Sequence, residues 1–329
     1  MPTSLLFLQL LANRALEPAG FRLGFAELDA DALVALAARA ELAALAAEFP
    51  CLILTDDIAE LPVEAWQALQ AIGCQPLDPA ALAACSSAGQ PSLPPGAQWL
   101  SGKWYLAPPA KPQSNQIGSR ALALKLVQLV AADAENRELE AVFRVDPALS
   151  YHLLRLVNSL GVGAGRRINS FNQALIMLGR AQLRRWLNLM LFAAGKDDPR
   201  SPMLLAHATV RARTMELLAQ AAGMDRQAQD QAFMSGMFSL LGVLFGLPLT
   251  QVLEPLRVGE ALTAAVLRHE GALGHLLRAA EYDEERDGAG LHAALDQLAL
   301  TPDIFDGATL EAHRWMLNLL RETPGSGDA

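Results

Sequence analysis

The chain has 329 residues, of which 52% are hydrophobic and only 6% aromatic, and its formal net charge is -9. That length holds two domains of ordinary size, the Ala and Leu bias favours packed helices over sheets, and the acidic balance excludes a whole-protein electrostatic footprint for nucleic acid or anionic lipid. The three cysteines, Cys51, Cys74 and Cys85, are odd in number and have no histidine pairs near them, so they read as reduced thiols.

The first apolar stretch has no basic region before it and no small-residue cleavage site, so secretion is not expected and the predicted compartment is the cytoplasm. Two strands are predicted at "LLFLQLL" and "FRLGF", the second by strict alternation of apolar side chains. A helix over "ADALVALAARAELAALAAEF", a strand at "CLILT" and a helix at "VEAWQALQAIG" follow, which is an α/β order. One more strand is expected around Trp99 to Leu106, inside a stretch rich in Pro, Gly and Ser. The domain boundary is placed near Pro108 to Ser119, giving an α/β domain over 1–109, a helical domain over 110–322 and a flexible tail over 323–329.

Beyond Ser119 the apolar period becomes helical throughout. Asp146 and Pro147 form a helix start, Ser170 with Gln173 a capping box, and Gly179 a stop. The run from Gln231 to Leu253 carries no charge and is long enough to span a bilayer. Gly242, Gly246 and Pro248 interrupt it and no basic or aromatic belt flanks it, so two buried helices separated at "GLPL" are expected instead of a membrane span.

Two runs, "DPALSYHLLRLVNS" and "INSFNQALIMLGRAQLRRW", resemble the HDOD domain of bacterial signalling proteins. HDOD domains resemble HD-type metal phosphohydrolases, whose adjacent His and Asp bind the metal. The resemblance implies that "AFMSGMFSLLG" takes that place, with Ser239 and Leu240 at the His and Asp positions. A neutral hydroxyl and an aliphatic side chain cannot replace those ligands. The stretch "WLSGKWYLAPP" resembles the end of the EAL barrel that precedes HDOD in EAL-HDOD proteins, and "EAWQALQAIGCQPL" the helix before it. The preceding chain is far shorter than the roughly 200 to 250 residues of a full barrel, so the barrel is expected to be incomplete. The tripeptide Glu260 to Leu262 reads EAL but lies in the helical domain and is read as chance.

Asp56 and Asp57 follow the "CLILT" strand, where α/β folds place catalytic acids, but without a matching ligand set they read as a turn into the Pro62 helix. His269, Glu270 and His275 fail as a zinc site, since a six-residue separation sets the histidines about 240° apart on a helix. His152, His207, His292 and His313 have no paired spacing and are expected at surface or boundary positions. The "GVGAG" at 161–165 lacks the strand-to-helix context of a dinucleotide loop. No acid lies between Pro147 and Lys196, whereas Arg155, Arg166, Arg167, Arg180, Arg184 and Arg185 do, which suggests either a docking face for an acidic or phosphate-bearing partner or helix faces paired with acids from elsewhere.

The combined expectation is a mainly α protein, an HD-like HDOD domain behind a small incomplete EAL-like domain. Its predicted role is non-catalytic signal transduction through contacts with other signalling proteins, linked to cyclic-di-GMP, without enzyme activity, cofactor, metal, nucleic acid or membrane. The alternative is a residual cyclic-di-GMP phosphodiesterase or a metal-dependent phosphohydrolase.

Overall fold

The computed structural model describes residues 5–26, 28–85, 91–108, 198–256 and 259–322, with scattered positions between 125 and 192. The expected domain boundary after 109 and the tail over 323–329 lie outside the described residues.

A nearly continuous apolar run and an alternating stretch open the chain as two strands, β1 (Leu6–Ala12) and β2 (Pro18–Phe25), paired antiparallel with Leu6 opposite Phe25 and Leu10 opposite Phe21. The connecting turn is closed by Asn13, whose side-chain oxygen accepts the Glu17 N–H at 3.0 Å. The Ala-rich stretch expected as one helix is two, α1 (Ala30–Ala37) and α2 (Ala40–Glu48). Asp29 caps the first by accepting the Ala32 N–H at 2.9 Å. The break is at Arg39, which is extended at φ -69° and ψ 127° and whose guanidinium reaches the Asp303 carbonyl at 3.0 Å and its carboxylate at 2.5 Å. A tertiary contact thus overrides strong local helix propensity.

Strand β3 (Cys51–Leu54) runs parallel to β2. The expected turn at Asp56 and Asp57 is instead a short helix, α3 (Thr55–Glu60), with both acids in its first turn, where the helix dipole favours them. Helix α4 (Val63–Ala71) follows as predicted. Two three-residue strands, β4 (Gln75–Leu77) and β5 (Leu82–Ala84), are too short to leave an alternation signal. The strand expected over 99–106 is only β6 (Trp99–Ser101), followed by a 3-10 turn over Trp104–Leu106. Gly102 makes that change of direction at φ +110°, and a Cβ there would meet the Cys85 carbonyl oxygen at 2.3 Å. Among the described residues the strands form one six-stranded, half-barrel sheet in the order β4-β3-β2-β1-β6-β5. Pro76 sits in the outer strand β4, opposite Ile53.

The second part of the described chain is helical: α5 (Ser201–Ala221), α6 (Arg226–Phe238), α7 (Leu241–Phe245), α8 (Leu249–Leu253), α9 (Glu260–Arg268), α10 (Gly271–Glu285), α11 (Gly288–Gln297) and α12 (Pro302–Glu322). The uncharged 231–253 run is buried helix in three pieces instead of two, with an additional break after Phe238 and a left-handed Gly246 closing α7. Among the described residues no helix is long and apolar enough to cross a membrane.

Helices α5 and α6 approach closely at Gly236, where a Cβ would lie 2.6 Å from the Ala212 Cα. One continuous apolar core joins Phe21 and Ile53 of the sheet to Leu204 of α5 and Met316 of α12. Each such side chain contributes roughly 1.5–3 kcal/mol of burial. The sheet therefore leans on the helices, as an open sheet needs a covering layer. Polar ties reinforce the seam: the Leu6 N–H donates to the Asp306 carboxylate at 3.1 Å, and Arg321 pairs with Glu48 at 3.0 Å.

Candidate functional site

The sequence of α5 sets His207 and Arg211 four residues apart, on one face of the helix. The last turn of α10 brings Glu284 against them, and the 3-10 turn after β6 adds Tyr105 from the sheet side. The side chains of His207, Arg211 and Glu284 are only 9%, 7% and 14% exposed, so each charge needs a partner inside the protein.

Those partners are present. Arg211 holds Glu284 with two N–H groups, its Nε donating to Oε1 at 2.7 Å and its Nη2 to Oε2. This two-point geometry is the strong form of the pair. Arg211 Nη1 donates to the Ser239 hydroxyl at 2.8 Å, and that hydroxyl donates to the Gly236 carbonyl at 2.7 Å. His207 Nε2 lies 3.1 Å from Glu284 Oε2, and its Nδ1 lies 3.4 Å from the Tyr105 hydroxyl.

Burial alone would raise the Glu284 carboxyl, but the Arg211 guanidinium and His207 outweigh it and hold the group well below the ordinary carboxylate range. Burial, and then the nearby Glu284 charge, push the Tyr105 hydroxyl up. Glu284 is thus an acceptor and Tyr105 a donor, which assigns the His207 tautomer: Nε2–H donates to Glu284 and Nδ1 accepts from Tyr105. The result is a Tyr105–His207–Glu284 chain that can hold an imidazole in one orientation, completed only when sheet and helices meet. A cleft of about 70 Å³ borders these groups, lined also by Gln9, Lys103, Asp283 and Arg286. It has room for a few water molecules or one phosphoryl group.

Ser239 stands just after α6, beside this cluster, and Leu240 is buried and apolar. A divalent metal of the HD type does not fit at these positions. The Ser239 oxygen is already engaged with Arg211, and that guanidinium brings a fixed positive charge to the place a cation would take. Among the described residues no group of three or more His, Cys, Asp or Glu could hold a metal ion.

The other candidates are not brought together. Of the arginine face only Arg185 is described, and it takes the second of the two expected roles, paired with an acid from elsewhere in the fold. It forms an ion pair with the buried Glu216, and its guanidinium lies 4.2 Å from the centre of the Phe233 ring. Burial beside an acid on α5 makes it part of the packing. Arg155, Arg166, Arg167, Arg180 and Arg184 lie outside the described residues, as do His152 and the 161–165 glycines. Asp57 pairs with Arg22 at 3.1 Å. His269 ends α9 in a left-handed conformation and contacts Glu281 at 2.9 Å. His207 and His313 are buried, against the expectation of surface or boundary positions, because each has a polar partner inside. Burial raises the thiols of Cys51 and Cys74, the latter to about 12, which keeps both protonated.

Residues 120–253 match the family model of the HDOD domain. Over 228 residues the chain is 28% identical to the cyclic di-GMP phosphodiesterase CdgJ of Vibrio cholerae, covering 69% of this chain and 52% of that protein. Over 177 residues it is 25% identical to the uncharacterized protein YuxH of Bacillus subtilis, covering 53% of this chain and 42% of that protein. The chain thus spans about half the length of these curated relatives, or less. A crystal structure from Shewanella amazonensis, provisionally named a phosphohydrolase, covers 64% of this chain and 98% of its own at 12% identity and a TM-score of 0.44, a likeness too distant to bear on function. Similarity to a named phosphodiesterase overturns the expectation that the chain is not an enzyme, which rested on the missing His-Asp pair and on the lack of an EAL motif in a barrel context. The chain carries an HDOD domain at residues 120–253.

Proposed function

We propose that the chain is a signal-transduction protein of cyclic-di-GMP pathways, related to phosphodiesterases, and that the cleft beside Tyr105, His207 and Glu284 is where it handles a phosphate ester. The observation that carries this reading is the 28% identity over 228 residues to a protein named as a cyclic di-GMP phosphodiesterase. The cleft supports it chemically. Its size suits a phosphoryl group with the rest of the nucleotide outside. Its histidine is held at Nε2 by Glu284, and a proton transfer to a phosphodiester would use Nδ1 once the ligand displaces the Tyr105 hydroxyl 3.4 Å away. Arg211 fixes Glu284 as a carboxylate, and Glu284 in turn keeps the His207 Nδ1 lone pair directed at Tyr105.

The test is a calorimetric titration of the purified chain with cyclic di-GMP, with chromatography of the mixture for linear and mononucleotide products. The expected outcome is saturable binding that weakens at least tenfold in His207→Ala. Wild-type protein that neither binds nor converts the dinucleotide overturns the reading.

A further inference from the structure

The polar groups of the cleft do not all find partners within the protein. Arg211 and Glu284 satisfy each other. Asp283 also lines the cleft, and its Oδ1 is enclosed with no hydrogen-bond partner. Burial, reinforced by the neighbouring Glu284 and Asp306 charges, raises its carboxyl well above the ordinary range, against the pull of the nearby Arg286 and Lys103. Two cations remain at the mouth. Lys103 is exposed there, and Arg286 closes α10 in a left-handed conformation at φ +59°. Among the described residues neither has a hydrogen-bonded acid.

Arg286 is placed by the backbone. Its guanidinium lies over Gly24 of β2, where only a glycine leaves room, and faces the Phe7 ring of β1 with its central carbon 6.0 Å from the centroid. Of the acids that act on it, Asp57 is engaged by Arg22 at 3.1 Å. Partial burial, and then repulsion from Arg22, lower the Arg286 pKa from its usual value, so its charge is held without full compensation. A left-handed arginine costs of order 1 kcal/mol or more, and structures keep such conformations where the surroundings fix them.

We propose that Arg286 and Lys103 form an anion site at the mouth of the cleft that takes a phosphate group of the ligand, with Asp283 as a further hydrogen-bonding group beside it. The site deepens the reading above, on which its link to a phosphate ester rests, but its chemistry is independent of the dinucleotide: a planar guanidinium and an ammonium converging on a phosphoryl-sized space match phosphate oxygens. Gln9 of β1 offers a side-chain amide on the facing wall.

The experiment is a titration of the full chain with inorganic phosphate and with pyrophosphate, followed by calorimetry at low salt. The fluorescence of Trp104, next to Tyr105, gives a second readout. Saturable binding should weaken at least tenfold in Arg286→Gln and several-fold in Lys103→Gln, and be unchanged in Arg321→Gln, a control far from the cleft. Lys103 is exposed, so its variant keeps the test valid if Arg286→Gln disturbs the end of α10. Absence of saturable phosphate binding in the wild type, or binding unchanged in both variants, overturns the site. Cyclic di-GMP binding that survives in both variants also overturns it while leaving the proposed function standing. Phosphate binding that depends on both residues, in a chain that ignores cyclic di-GMP, supports the site and overturns the proposed function instead.

Discussion

The Arg286 guanidinium rests against the backbone of Gly24, so close that a Cβ at position 24 would fall 1.6 Å from Arg286 Nη2. The clash is with the far end of a flexible side chain, so Gly24→Ala should displace the guanidinium without unfolding the sheet. We expect a thermal midpoint within a few degrees of wild type and a phosphate affinity reduced several-fold. Unchanged phosphate affinity in a well-folded Gly24→Ala protein would show that the guanidinium position does not matter for anion binding.

Removing Arg211 strands Glu284. Arg211→Ala leaves a buried carboxylate with only His207 beside it, a change that typically costs about 3–5 kcal/mol. Adding Glu284→Gln removes the stranded charge and should recover part of that loss. Urea denaturation of the two proteins checks this, and equal stability of the single and double variants would contradict it.

Two groups of α12 titrate in opposite directions over the same pH range. Burial raises Asp306 from 3.8 to about 7, so the fold favours its protonated form. Its contribution is complete below pH 3.8 and is lost as pH rises through about 7. Burial lowers His313 from 6.5 to about 4, so the fold favours its neutral form. That contribution is complete above pH 6.5 and is lost as pH falls toward about 4. Each slope is at most about 1.4 kcal/mol per pH unit. Their contributions should nearly cancel between pH 4 and 6.5 in the wild type. Asp306→Asn should make stability rise more steeply with pH across that window, and His313→Gln should make it fall. Parallel profiles for all three proteins would rule the opposition out.

The close crossing of α5 and α6 should make Gly236 intolerant of any side chain. A Cβ at this position meets the Ala212 backbone, which cannot swing aside, so Gly236→Ala should cost about 1–3 kcal/mol despite better intrinsic helix propensity. Thermal denaturation provides the check, and a stabilised variant would mean that the helices do not cross here.

Arg185 should behave as a structural residue. Glu216 is shared between Arg185 and Arg213, whose Nη1 lies 2.7 Å from it. Arg185→Ala leaves one partner in place, so the expected loss is about 2 kcal/mol, below that of stripping a buried acid completely. A negligible loss in equilibrium unfolding would show that the Arg185–Glu216 pair contributes nothing to the packing.

The two long strands, the Ala-rich helices and the Gly246 break were legible because each is encoded by neighbouring residues. The split at Arg39 was not, since the residue that extends it, Asp303, is 264 positions away. The same distance problem hid the cleft. Glu284 lies 73 residues from Arg211, and Tyr105 lies 102 residues from His207. One local signal was available: His207 and Arg211 lie four apart on one face of a helix, so burial of that face asks for a partner. The two readings of the Arg face stayed open at position 185 because charge segregation along the chain says nothing about which helix supplies the opposing acid.

Among the described residues the sheet ends at β4 on one side and β5 on the other, and an uncovered sheet margin is an invitation to polymerise. At β4 the invitation is withdrawn by Pro76, which has no amide hydrogen to offer a neighbouring chain, in a strand only three residues long. The β5 rim is equally short. Among the described residues, both margins of the open sheet are thus too short to template a neighbouring chain.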